Sequence, residues 1–223
     1  MTLTAPAIVP LPRSSPEGSG DAPDAEDALR RGEPRREVQA EDALWYERVL
    51  GWPVAGGPPA QLVTGERFDV LELPADAGAA VLRRPVATGP VALMGRRMRF
   101  LVAPGSAEEL PGLLDWLEWG GVPLELTALG PGGRMTAPAP PAPPAARTGL
   151  HEGTGAPAAC GESPRGAAVW LRPPEPGCES LLPSLTAPGR TIGPDLARLV
   201  GAAATECHRA RLAGLGRQPL AFS

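Results

Sequence analysis

The stretch Arg67–Pro74, R-F-D-V-L-E-L-P, constrains this chain more than any other. It reads as a central β-strand that carries acidic side chains into a pocket, with Pro74 ending it. Side chains alternate along a strand, so Asp69 and Glu72, three apart, are predicted on opposite faces. Leu71 takes the place two after Asp69, which leaves Asp69 as a solvent-face or turn-adjacent acid. Whether these acids can hold metal ions separates an enzyme from a protein that only keeps an enzyme's shape.

The elements around that strand follow from periodicity and breakers. Residues 1–37 are rich in Pro, Gly, Ala, Ser and charge and carry few large apolar side chains after Leu11. Such a segment cannot repay its ordering entropy by burial, so it reads as a disordered tail. Val38–Leu50 reads as the first helix, with Leu44, Trp45, Val49 and Leu50 on its apolar face and Gly51 as C-cap. Gln61–Val63 is a short strand and Thr64–Glu66 a turn. Ala75–Arg84 reads as a short helix. Pro90–Met94 and Arg99–Ala103 form a hairpin around G-R-R-M.

Ser106 and Glu109 have the spacing of a capping box, starting a helix that runs to Trp119 and buries Leu110, Leu113, Leu114 and Leu117. Trp116 and Trp119, three apart, read as helix packing. Val122–Thr127 is a strand, Gly130–Gly133 a turn and Arg134–Ala137 a returning strand. Pro138–Pro144 is polyproline-like and opens a Pro/Gly-rich loop to residue 165. Ala167–Leu171 is a last strand. Pro194–Leu215 is a terminal helix with Leu196, Leu199, Val200 and Ala203 on one face, and 216–223 is a tail. Helices and hairpins mix in order, so the expected class is α+β, with a small mixed or antiparallel sheet in one domain over 38–215.

Composition removes several function classes. The net charge of −4 gives no general attraction for nucleic acid, and a polyanion site must be a local arginine patch. All 21 basic residues are Arg. The three cysteines, Cys160, Cys178 and Cys207, lack the spacing of a zinc site or a disulfide framework. Cys207 reads as a small core residue. His151 and His208 read as structural or exposed. The start M-T-L-T-A-P-A-I-V-P does not read as a signal peptide, and no apolar run reaches bilayer-spanning length. A cytoplasmic protein with no membrane partner is expected. No P-loop motif is present.

Three pieces in order carry a resemblance. F-D-V-L-E-L-P with A-D-A-G, then R-F-L-V-A-P-G, then L-E-L-T-A-L-G-P-G-G-R-M-T-A-P are similar to the N-terminal domain of bifunctional DNA primase/polymerases, in the archaeo-eukaryotic primase superfamily. A-L-W-Y-E-R-V-L-G-W-P-V resembles that family's first helix and following strand, and W-L-R-P-P at Trp170–Pro174 its closing aromatic strand. The resemblance covers about residues 40–210 and implies an RNA-recognition-like sheet with a catalytic crevice. It also implies template-directed nucleotidyl transfer on two Mg or Mn ions, held by acids at i and i+2 of one strand and a third acid on a later strand.

Carried over position by position, Glu72 falls at the first acid and Glu125 at the third, making these two the candidate catalytic residues and metal ligands. Pro74 falls at the second acid, where no ligand remains. Arg97 or Arg99 falls where the family has a phosphate-contacting His, and Arg96, Arg97 and Arg99 are candidates for nucleotide phosphate. The family's Cys-rich insert is missing, and Arg134 replaces an aromatic. The resemblance therefore implies a domain degenerate at its metal site, with nucleotide or DNA as remaining partners and no cofactor unless it is active. Two alternatives stand beside it. One is a working nucleotidyltransferase that recruits another ligand, such as Asp76. The other is a non-catalytic protein-interaction or regulatory module, contacting partners through the Pro-rich run or the tail.

Overall fold

The computed structural model describes residues 40–57, 59–141, 167–185 and 194–215. The chain divides into two units, Met1–Arg35 and Arg36–Ser223, and every described residue belongs to the second. The expected tails at 1–37 and 216–223, His151, Cys160 and most of the Pro/Gly-rich loop lie outside the described residues.

Among the described residues the class is α+β, with four helices and two antiparallel sheets. Helix α1 covers 40–50 and ends in a π-turn, Tyr46–Leu50, closed by Gly51 at φ +67°. Then come β1 (Val54–Ala55), β2 (Gln61–Val63), β3 (Asp69–Pro74), α2 (Ala75–Leu82), β4 (Val91–Met94), β5 (Arg97–Val102) and α3 (Ser106–Trp116). The rest are β6 (Thr127–Leu129), β7 (Arg134–Thr136), β8 (Ala168–Arg172), a 3₁₀ turn at Cys178–Leu181, and α4 (Leu196–Leu215).

The larger sheet has the order β6-β3-β5-β4-β8, and β3 is its central partner for both β5 and β6. Four of its strands come from one β-α-β-β-α-β run, β3-α2-β4-β5-α3-β6, in a split β-α-β arrangement. The smaller sheet is β1-β2-β7. The Gly130–Gly133 turn carries the chain from one sheet to the other, and a second turn packs against it. Thr64 Oγ1 donates to Gly130 O at 2.6 Å, and Thr64 N donates to Gly133 O at 3.0 Å. Gly65, at φ +97°, abuts Pro131 so closely that any side chain there would collide with its backbone.

The alternation of β3 creates two cores. Leu71 and Leu73 join Met98, Phe100 and Val102 of β5 beneath α2, α3 and α4, where Val81, Leu110, Leu113, Leu196, Leu199, Val200 and Ala203 are buried. On the reverse face, Val70, Ala92 and Leu101 meet Tyr46, Leu50, Trp52, Leu62, Phe68 and Met135 from α1 and the small sheet. Each fully buried Leu, Val or Phe supplies about 1.5–3 kcal/mol relative to exposure, so both faces of β3 are stabilising. On the reverse face, hydrogen bonds add to the apolar contact and tie α1 to β8 and to the chain after β7. Tyr46 Oη donates to Pro138 O at 2.8 Å and accepts from Trp170 Nε1 at 2.7 Å.

Several expected elements move. In α1 the buried side chains are Tyr46 and Leu50, while Leu44 and Val49 are over two-fifths exposed, because the π-turn rotates the face that periodicity assigns. The β4–β5 turn is only Gly95-Arg96, so Arg97 belongs to the strand. The later strand is Thr127–Leu129 and not Val122–Thr127, which leaves Glu125 ahead of it. Helix α3 ends at Trp116, and Glu118 has a left-handed φ of +64°. Ser106 is not its cap: the cap position is Gly105, where no side-chain cap bond is made.

Candidate functional site

Every side chain of the candidate site traces to strand alternation on β3 and β5. Glu72 pairs with Arg99 across these strands, and Pro74 with Arg97. Glu72, Pro74, Arg97 and Arg99 thus share the sheet face that carries Val70 and Leu101, opposite the helix-covered face. The rung through Glu72 runs Thr127, Glu72, Arg99, Ala92, Trp170 from edge to edge.

Both oxygens of Glu72 are taken. Arg97 Nε donates to Oε1 at 3.0 Å and Arg99 Nε to Oε2 at 2.7 Å. The side chains of Glu72, Arg99 and Arg97 are 17%, 11% and 31% exposed. Burial pushes the Glu72 carboxyl toward protonation, but the hydrogen bonds and charges of Arg99 and Arg97 more than reverse this, leaving its pKa below the usual carboxylate value. Each guanidinium also has supports other than the Glu72 carboxylate. Arg97 Nη2 donates to Glu72 O at 3.4 Å and Glu125 O at 3.3 Å, and Arg99 Nη1 lies 3.6 Å from Met94 Sδ.

Glu125 stands apart from this cluster. Its side chain is 75% exposed, and Oε2 lies 3.9 Å from Arg97 Nη1. Its neighbours Leu124 and Leu126 do pack into the helix-side core. Asp76 is exposed in the first turn of α2, and Arg96 is exposed in the β4–β5 turn. The structure therefore brings Glu72, Arg97 and Arg99 together, sets Glu125 at their margin, and leaves Asp76 and Arg96 outside.

Two divalent ions do not fit this arrangement. A carboxylate that accepts from a guanidinium at each oxygen presents cations where a metal would have to approach. Pro74, two residues on from Glu72 on the same face of β3, offers no side-chain donor. Among the described residues no group of three or more His, Cys, Asp or Glu is placed to hold a metal ion.

The carboxylate that sequence reasoning misplaced is Asp69. It is fully buried on the helix side, not at a solvent face. Its Oδ2 accepts from Ala107 N at 2.9 Å, so it caps α3 from a strand 38 residues away. Burial raises its pKa, against the pull of that amide. Gly130 packs beside it, with a Cβ there 3.9 Å from either oxygen. Its role is structural, and only tertiary contact reveals it.

Trp116 also departs from expectation: it is 73% exposed, while Trp119 packs toward His208 at 5.7 Å between ring centroids. Cys207 is buried in the helix-side core as expected. Among the described residues no helix is long and apolar enough to cross a membrane. Comparisons with protein families, with curated proteins and with solved structures each found no match.

Proposed function

We propose that this chain carries a primase/polymerase-type domain in which a metal-independent phosphate contact replaces two-metal nucleotidyl transfer. The β6-β3-β5-β4 order, built from one β-α-β-β-α-β run, supports an RNA-recognition-like sheet of the kind such a domain needs. The positive charge that metal ions would supply comes instead from Arg97 and Arg99. The observation that carries the reading is the double capture of Glu72, the residue at the first-acid place, by those two arginines.

In this reading the arginines bind and orient phosphate oxygens of a nucleotide or of DNA, through fork-like charge-assisted hydrogen bonds. Losing metal ligands removes several kcal/mol of transition-state stabilisation, about a thousandfold or more in rate. The test is primer extension on a primed template with Mg or Mn and deoxynucleotides, beside nucleoside triphosphate binding in a chelator. No extension above background with chelator-insensitive binding is expected. Extension that is lost in Glu72→Ala contradicts the proposal.

A second reading has its own observation. Trp116 stands exposed on α3 with exposed Glu108, Glu109 and Asp115 on the same helix, a surface more like that of a protein-interaction module. The Pro-rich run supports this less: Pro138 is buried and its carbonyl is engaged by Tyr46, and 142–144 lie outside the described residues.

A further inference from the structure

We propose that Glu72 is a built-in competitor at the anion site, so that a phosphate group binds Arg97 and Arg99 only by displacing the Glu72 carboxylate. The inference rests on the reading of those arginines as a phosphate contact and adds how that contact is regulated.

The geometry points this way in three respects. First, Glu72 uses one oxygen per guanidinium, at 3.0 and 2.7 Å, which is how a phosphate with two free oxygens would engage the same pair. Second, the guanidiniums keep other partners when the carboxylate leaves. Arg97 retains the carbonyls of Glu72 and Glu125, and Arg99 the sulfur of Met94. The pair is thus held in place for an incoming oxyanion. Third, the local charge favours exchange. Two cations face one well-placed carboxylate, and the second acid, Glu125, is 3.9 Å from Arg97 and three-quarters exposed to screening water.

Arg97 is the more accessible of the two arginines, so an anion meets it first and reaches Arg99 as Glu72 swings away. The backbone of β3 need not move, because Leu71 and Leu73 on its other face stay anchored in the core. The exchange is one of hydrogen-bond partners only. It makes and breaks no covalent bond.

The experiment is calorimetric titration of the full chain with inorganic tripolyphosphate, at low ionic strength and in chelator. Unmodified protein is compared with Glu72→Gln, with Glu72→Thr, and with Glu72→Gln combined with Arg99→Gln. A site occupied by its own competitor has its apparent affinity reduced by the fraction that is open, so both single variants are expected to bind about tenfold tighter or more. The double variant is expected to lose that gain. Equal affinity in unmodified and Glu72→Gln protein overturns the competition while leaving the phosphate contact standing. Weaker binding in Glu72→Gln also overturns it, since Glu72 would then help hold the ligand. No binding by any form overturns the phosphate contact itself.

Circular dichroism shows whether the variants fold. If they do not, the unmodified chain still decides through the carbon-13 carboxyl resonance of Glu72. A displaced carboxylate shifts when tripolyphosphate saturates the protein, and an unmoved resonance contradicts displacement.

Discussion

Arg99 Nε lies 2.7 Å from Glu72 Oε2, across the register that pairs β5 with β3, and both side chains are largely shielded from water. A strand residue that would otherwise carry an unpaired negative charge into the sheet is neutralised from two sides. Removing Glu72 leaves both guanidiniums without their carboxylate, with only carbonyls, the Met94 sulfur and the exposed Glu125 beside them. Glu72→Ala is expected to cost about 2 kcal/mol, below the 3–5 kcal/mol of a fully buried pair because water reaches the Arg97 side. Urea unfolding at neutral pH measures it.

The same cluster has a pH signature. The folded pKa of Glu72 lies below its ordinary value of 4.5, so its contribution is fully present above that value and is lost as pH falls through the folded one. Asp69 acts in the opposite direction. Its folded pKa lies above the ordinary 3.8, so its contribution is present below that value and is lost as pH rises through the folded one. Unfolding free energies from acid to neutral pH should therefore lose part of their acid-side decline in Glu72→Gln. In Asp69→Asn they should lose an opposing slope.

Asp69 gives a second test through the helix it caps. Asp69→Ala removes the acceptor for Ala107 N and should cost about 1–2 kcal/mol, the usual range for losing an N-terminal cap. Asp69→Asn keeps an oxygen for that amide without a buried charge. At neutral pH it should match or exceed the original stability. Thermal melts of the three proteins side by side separate the cap from the charge.

Tyr46→Phe probes the joint between α1 and the two sheets. It deletes one hydroxyl and strands both Pro138 O and Trp170 Nε1. Leaving buried polar groups unpaired costs about 1–3 kcal/mol each at most, so a loss of about 2 kcal/mol is expected with little change in the folded spectrum. Chemical denaturation followed by tryptophan fluorescence reports it.

Burial pushes the Cys207 thiol up to about 11, so little thiolate is present at neutral pH. Native protein should label at Cys207 far more slowly than protein in denaturant, when the modified peptides are mapped by mass spectrometry. Equal rates in the two states would place Cys207 at the surface.

Much of this fold was legible because single-chain patterns dictate it. The apolar run through Val70, Leu71 and Leu73, the Gly130–Gly133 turn, and the face of α4 made by Leu196, Leu199, Val200 and Ala203 all express local periodicity. What failed was decided by distant contacts. Asp69 is buried because the amide of Ala107 comes to meet it, and no spacing within either segment announces that pair. The face of α1 turned because its last turn is π. Glu125 fell off its strand because β6 pairs with β3 only from Thr127 onward. The joining of Arg97 and Arg99 to Glu72 could have been found. A two-residue Gly95-Arg96 turn fixes both arginines on one face of β5, and antiparallel pairing with β3 then sets them against Glu72.

The central claim is that arginines, and not metal ions, satisfy Glu72. Its most direct test is a manganese titration of the full chain, followed by water-proton relaxation, with unmodified protein and Glu72→Ala in parallel. The account predicts the same weak, non-saturating response in both. Saturable manganese binding in the unmodified chain that disappears in Glu72→Ala would contradict it.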